Sequence, residues 1–482
     1  MFAHTVSLKA HASIALVALC VGMSGCATTP DTKALIARHD GQRANFENAL
    51  GPVSARANAS IMARLKNQSG DSDILERQIA LEEAVSDSPL LLGNKVLLLQ
   101  DGPATYKAMF DAIRTAKDHI NVEFYIIEDD AVGQQFADLL LERQANGVQV
   151  NLIYDSVGCI LTEDAYFERL QAGGVNVLEF NPINPLLSKK EWELNSRDHR
   201  KILVVDGRVA FIGGINISDT YSAGSNSSGS SSFPLSGASK NRSADQDEDP
   251  MALGPWRDTD VQLEGPVVAE LQKLFMDTWQ KQNGKPVAPK EYFPTLAPVG
   301  NEIIRSIGST PDDPFSQMYL TLISAIGNAE NKIWLTNAYF VPDDQFLQAI
   351  LDAAKRGVDV RIILPSHTDS SLTFHAGRAH YDDLLEAGVK IYEMEEAVLH
   401  SKTAVIDGVW STVGSTNLDW RSFVDNDEVN AVILGREFGQ QMEATYMQDI
   451  EHSNAIDLAT WKQRPASTKL KETFSSMLER LL

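Results

Sequence analysis

Two segments of the chain carry the same polar residues at the same spacing. The first is His199-Arg-Lys201-Ile-Leu-Val-Val-Asp206, followed by Gly213-Gly214-Ile-Asn216. The second is His400-Ser-Lys402-Thr-Ala-Val-Ile-Asp407, followed by Gly414-Ser415-Thr-Asn417. In both, lysine follows histidine by two positions, aspartate by seven, glycine by fourteen and asparagine by seventeen. One His-x-Lys-x4-Asp is a weak signal, but two copies in register are not chance. Both lie against apolar runs that read as strands, where residues i and i+2 share a face. His199 and Lys201 therefore point one way, as do His400 and Lys402. Asp206 and Asp407 fall on the opposite face, which suits a structural or orienting role within the catalytic set formed by the repeated motif. The glycines allow close backbone approach, and Asn216 and Asn417 supply neutral amide donors. Two such strands facing each other would form a positive, donor-rich pocket for a phosphate.

Such a pocket suits phosphodiester chemistry, which needs charge neutralisation, a nucleophile, and a proton for the leaving oxygen. Two imidazoles with ordinary pKa values of about 6.5 can divide the last two tasks. One, neutral, attacks phosphorus and becomes a phosphohistidine; the other, protonated, releases the alcohol, and the roles reverse in a second step. The residues alone do not say which histidine does which. Each imidazole also needs a carboxylate on its other ring nitrogen to fix its tautomer. Aligning Asp258-Thr-Asp-Val-Gln-Leu-Glu-Gly265 with Glu428-Val-Asn-Ala-Val-Ile-Leu-Gly435 offers Asp258 and Glu428 at matching places. The chemistry requires no metal and no cofactor. There is no Gly-rich nucleotide loop, and His367, His375 and His380 are not spaced to stack on one helix face.

The elements that must hold these residues are themselves repeated. His119–Ile127, Ala131–Ala145 and Gly147–Asp155 read as strand, helix, strand, and so do Lys332–Val341, Asp344–Lys355 and Gly357–Pro365. Ala172-Gly-Gly-Val-Asn-Val-Leu-Glu179 has a counterpart in Glu386-Ala-Gly-Val-Lys-Ile-Tyr-Glu393. A duplication of roughly 200 residues follows, and with it an α/β fold of two similar halves, 91–300 and 301–450, about a pseudo-twofold axis. Residues 27–90 read as a helical extension. Residues 451–482 read as a helical tail around Trp461, whose Leu482 end is apolar enough to fold back or touch lipid. Residues 222–250, dominated by Ser, Gly, Asn and Asp, read as a disordered surface insertion. The insertion accounts for the longer separation of Asp258 from its motif. Tyr125 and Tyr339 fall at equivalent strand positions, suiting either a pocket wall or the core.

The duplicated motif resembles the two HKD motifs of the phospholipase D superfamily. Asn195-Ser-Arg-Asp-His199, Ala210-Phe-Ile-Gly-Gly-Ile-Asn216 and Tyr339-Phe-Val-Pro-Asp343 are similar to its bacterial cardiolipin synthase branch. The resemblance implies two phospholipase D-like α/β sandwich halves, with His199 as nucleophile and His400 as acid/base. It implies phosphatidyl transfer between membrane phospholipids, with cardiolipin made from phosphatidylglycerol. A hydrolytic phospholipase D would differ only in which hydroxyl attacks, and the sequence does not separate the two. A nuclease needs a basic groove, against which stand 42 Lys+Arg, 65 Asp+Glu and a formal charge of −23 in 482 residues. A non-catalytic lipid-binding scaffold is the remaining reading. Oligomeric state is left open.

Membrane attachment is expected at the start of the chain. The apolar run Ser13–Met23 is too short to span a bilayer but suits a secretory signal. It leads into Met23-Ser24-Gly25-Cys26-Ala27, which resembles a bacterial lipoprotein box. Removal of residues 1–25 and lipidation of Cys26 would leave Cys159 as the sole thiol, so no disulfide forms within one chain. Two or more acyl chains make a stable anchor. The expected location is the periplasmic side of a bacterial membrane, with Ala27 favouring the outer one.

Overall fold

The computed structural model describes residues 44–70, 72–86, 88–184, 195–223 and 254–482. The signal segment, Cys26 and nearly all of 222–250 lie outside the described residues.

Each half is a mixed sheet built in the same order. In the first, Asn176–Phe180, Gln149–Asp155 and His119–Phe124 run parallel. Lys201–Val205, Val209–Gly213, Asp260–Glu264 and Leu90–Leu99 then continue the sheet antiparallel. In the second half the order is Lys390–Met394, Asp359–Pro365, Lys332–Asn337, Lys402–Ile406, Trp410–Gly414, Asn426–Leu434 and Glu302–Ser309. The strands correspond one to one, so the repeat in sequence is a repeat in structure. The two sheets join where Glu302–Ser309 pairs with Leu90–Leu99 through Glu302↔Asn94 and Ile304↔Leu91.

Local chemistry sets the helices at equivalent places. Asp130 accepts the Gly133 N–H at 2.8 Å to start Ala131–Ala145, and Asp343 accepts the Phe346 N–H at 2.9 Å to start Asp344–Lys355. Gly147 and Gly357 then reverse the chain at φ +87° and +92°, where a β-carbon is strained.

Among the described residues, strand alternation divides the apolar side chains into three large cores and a small fourth of Ile153, Phe180, Phe275 and Trp279. Ile120, Val122, Leu203 and Val205 face the helices of the first half, and Ile333, Leu335, Ala404 and Ile406 those of the second. Ile202, Val204, Ile212 and Val261 face Ile363, Val405, Val413 and Ala431 in a third core shared by the halves. That shared layer fixes how the two motifs meet.

The extension expected to be helical also contains short strands, Phe46–Asn48 and Gly51–Pro52. Its helices, Ala55–Ser69 and Ile74–Val85, bury Leu65, Ile74 and Ile79 against the second half rather than the first. The C-terminal segment adds a strand, Ser453–Ala455, to the edge of the second sheet before its helices Leu458–Lys462 and Ala466–Ser476.

Candidate active site

His199 and His400 sit immediately before the strands Lys201–Val205 and Lys402–Ile406, at the edge where the neighbouring parallel strands end. There the chain crosses between halves. Arg197–Asp198 pairs in parallel with Asn426–Asp427, and Val398–Leu399 with Trp256–Arg257. The His199 N–H donates to the Asp427 carbonyl at 2.9 Å and the His400 N–H to the Arg257 carbonyl at 2.8 Å. The next residue on each borrowed strand is a fully buried carboxylate, Glu428 or Asp258. His199 Nδ1 therefore lies 3.0 Å from Glu428 Oε1, and His400 Nδ1 lies 2.7 Å from Asp258 Oδ2. Both carboxylates were legible as a matched pair, but each serves the histidine of the opposite half. With Nδ1 engaged, Nε2 is the ring nitrogen left to react.

The lysines close the floor of the site. Lys201 Nζ donates to the His199 carbonyl at 2.7 Å, and Lys402 Nζ donates to the His400 carbonyl. Tyr125 stands edge-on to His199 at 5.1 Å between ring centres, with the Lys201 ammonium 5.1 Å from its ring. Tyr339 meets His400 in the same way at 6.1 Å and donates to Asp369 at 2.6 Å. Both tyrosines are pocket wall. Asn216 accepts the Ile126 N–H at 3.1 Å and offers its amide to the Tyr221 hydroxyl at 3.3 Å, itself 3.3 Å from His400 Nδ1. Asn417 is buried with Oδ1 unpartnered.

Charge is concentrated and desolvated here. Burial, then the Lys201 and Lys402 ammonium groups and His400, hold His199 well below the ordinary imidazole range. Burial and Lys402 also lower His400, but Asp258 opposes them through its charge and its hydrogen bond. Burial brings Lys201 down to about 7 and Lys402 to about 8, and pushes Glu428 up to about 7. At neutral pH His199 is thus neutral, and His400 is the imidazole whose carboxylate partner opposes the loss of its proton.

Asp206 and Asp407 lie away from this pocket. Asp206 accepts the N–H groups of Lys117, Asp118 and His119, and Asp407 those of Glu330, Asn331 and Lys332. Both adopt φ near +50° (53° and 51°), which Asp tolerates better than most residues. They tie the turn after each motif strand to the start of its neighbour and do not belong among groups that touch substrate.

Three site residues escaped the reading of the sequence. Tyr221 and Trp256 pack on His400, the latter at 5.1 Å, and no periodicity marks either. Ser415 donates from Oγ to Glu428 Oε2. Its counterpart is Gly214, where a β-carbon would come within 2.3 Å of Asp258. The shorter carboxylate goes with glycine and the longer with serine, a difference visible in the two motif texts.

The family model described as cardiolipin synthase, PLD-like domain, matches residues 109–226 and 322–450, one copy in each half. A cardiolipin synthase of Geobacillus thermodenitrificans is 35% identical over 401 residues, covering 83% of this chain and 74% of that one. Cardiolipin synthase A of Pseudomonas putida is 35% identical over 372 residues, covering 76% and 70%. The crystal structure of a phosphatidylserine synthase from Haemophilus influenzae shares the fold, with a TM-score of 0.57 at 14% identity over 83% of this chain and 98% of that one. With paired motifs, exchanged carboxylates and relatives of this kind, the chain belongs to the phospholipase D-like family of cardiolipin synthases.

Proposed function

We propose that the protein transfers a phosphatidyl group from one phosphatidylglycerol to another, giving cardiolipin and glycerol. The observation that carries this reading is the exchange of Glu428 and Asp258 between halves, which brings two oriented imidazoles and two ammonium groups to one pocket. Lys201 and Lys402 neutralise the phosphodiester. Nε2 of His199 attacks phosphorus while His400 protonates the departing glycerol oxygen, leaving a phosphatidyl-histidine. The glycerol hydroxyl of a second phosphatidylglycerol then gives its proton to His400 and attacks phosphorus, releasing His199. One phosphodiester replaces another, so no energy donor is required. The asymmetric electrostatics of the two histidines support this order of roles.

The lipoprotein reading of Cys26 belongs to the same proposal. Acylation there would hold the site at a periplasmic membrane surface, where both substrates reside. Among the described residues no helix is long and apolar enough to cross a membrane. Incubation of the purified protein with phosphatidylglycerol labelled in the headgroup tests the activity. Cardiolipin with one glycerol released per product is expected. Phosphatidic acid alone would replace transfer by hydrolysis, and no turnover would remove the enzyme.

A further inference from the structure

The C-terminal helix Ala466–Ser476 is built inside out. Its polar residues Glu472 and Ser475 are buried, with Glu472 held by Arg464 at 2.8 Å and by Arg378 at 3.9 Å. Leu470 and Phe474, at i and i+4 on the outer face, and Met477 at the helix's C-cap are 62% to 76% exposed. Lys469 and Lys471 flank Leu470 and are also exposed, a local positive charge on a chain of net charge −23.

The position of this face matters. The helix packs on Ser371–Arg378, whose Gly377 abuts the carbonyl of Phe340, the residue after the pocket tyrosine Tyr339. Ser371–Arg378 follows the parallel strand Asp359–Pro365. The equivalent place in the first half, after Gln149–Asp155, is the turn carrying Ile160 and Leu161, the latter 90% exposed. Gly158 of that turn abuts the carbonyl of Tyr125, the other pocket tyrosine. Two bare apolar tips thus lie beside the pocket tyrosines, the Ile160–Leu161 turn next to Tyr125 and the C-terminal helix, through Ser371–Arg378, on the side of Tyr339.

We propose that these tips, the outer face of Ala466–Ser476 and the Ile160–Leu161 turn, seat the protein on a phospholipid bilayer with the active site facing the lipid headgroups. This rests on the lipid substrate proposed above. Three apolar side chains on the outer face and C-cap of one helix, bordered by lysine, match the acyl boundary and the anionic headgroups of such a surface. A second copy of the chain fits less well, because a twofold contact on this face would set Lys469 and Lys471 against their own equivalents.

The test compares the full-length protein with the variant L470E/F474E/M477E, none of whose altered side chains is buried, so folding is retained. Turnover is measured on phosphatidylglycerol vesicles and on dihexanoyl phosphatidylglycerol below its micelle limit. The variant is expected to lose about 10-fold or more on vesicles and to match the parent on the monomeric lipid. A second protein, F474W, is expected to show tryptophan quenching by vesicles of brominated phosphatidylglycerol beyond that of the parent. Equal vesicle turnover with no added quenching would overturn the docking surface. So would a change from dimer to monomer on sedimentation of the triple variant without added quenching, which would show that a second copy covers the face. If the parent turns over neither lipid, the transferase reading fails, while quenching still decides the docking.

Discussion

Lys201 tests whether the pocket is held charged against its own burial. The side chain is wholly buried, and its pKa falls from the ordinary 10.5 to about 7 with desolvation as the leading cause. Below pH 7 the folded state holds an ammonium that the unfolded chain would hydrate freely, at a cost of about 5 kcal/mol. Above pH 7 the folded lysine is neutral while the unfolded one stays charged up to 10.5, so by pH 9 the cost has fallen to about 2 kcal/mol. Lys201→Met removes that cost but forfeits the hydrogen bond to the His199 carbonyl and strands an acceptor, a loss of about 2 kcal/mol. The variant should therefore be about 3 kcal/mol more stable than the parent at pH 6 and equal to it at pH 9. In a chain of this size the melting temperature should rise by about 3–6 °C at pH 6. Its KM for phosphatidylglycerol should rise at least about 10-fold. Calorimetry at both pH values, with KM in parallel, checks this. A variant less stable than the parent at pH 6, or a gain that does not shrink by pH 9, would show that the ammonium is not a desolvated charge kept for phosphate.

Glu428→Gln should disable His199 in the opposite half and Asp258→Asn should disable His400, each lowering kcat by about 10²–10⁴-fold. An aryl leaving group that needs no proton should restore the first step in Asp258→Asn but not in Glu428→Gln, as read by stopped-flow release. The kcat/KM profile should fall as pH rises through 7 to 8, where Lys201 and then Lys402 lose their protons. Lys402→Arg should carry part of that limb upward, because its guanidinium stays charged. Asp206→Ala should cost about 2–4 kcal/mol, from three stranded N–H groups and a strained positive φ. Asp206→Asn should cost less. Both should keep the parent's kcat below their melting temperatures, measured per folded molecule.

Much of the site was legible because duplication writes the same constraint twice. His199, Lys201, His400 and Lys402 stand out by register, and Asp258 and Glu428 by a short alignment. The exchange of carboxylates was not legible. It depends on two-residue parallel pairings between halves, Arg197–Asp198 with Asn426–Asp427 and Trp256–Arg257 with Val398–Leu399, too short to leave a periodicity. Trp256 reaches His400 from one of those crossings, and Tyr221 from the short helical turn Asp219–Tyr221. The parallel strands declared themselves as apolar runs rich in Val and Ile. Leu90–Leu99 did not, since Leu-Leu-Leu-Gly-Asn-Lys-Val-Leu-Leu-Leu lacks β-branched character and becomes a strand by joining both sheets. The terminal helix exposes Leu470 and Phe474 because Glu472 has two arginine partners within, which a count of apolar residues does not reveal.

The covalent intermediate is where the account is most exposed to test. Phosphatidyl-p-nitrophenol, whose leaving group needs no protonation, should give His400→Ala a burst of one equivalent of p-nitrophenolate. That variant should then stall with an acid-labile phosphatidyl group mapped by mass spectrometry to His199. His199→Ala should give no burst and no adduct. A burst from His199→Ala, or a wild-type protein that turns over while His400→Ala never acquires an adduct at His199, would contradict the two-histidine mechanism.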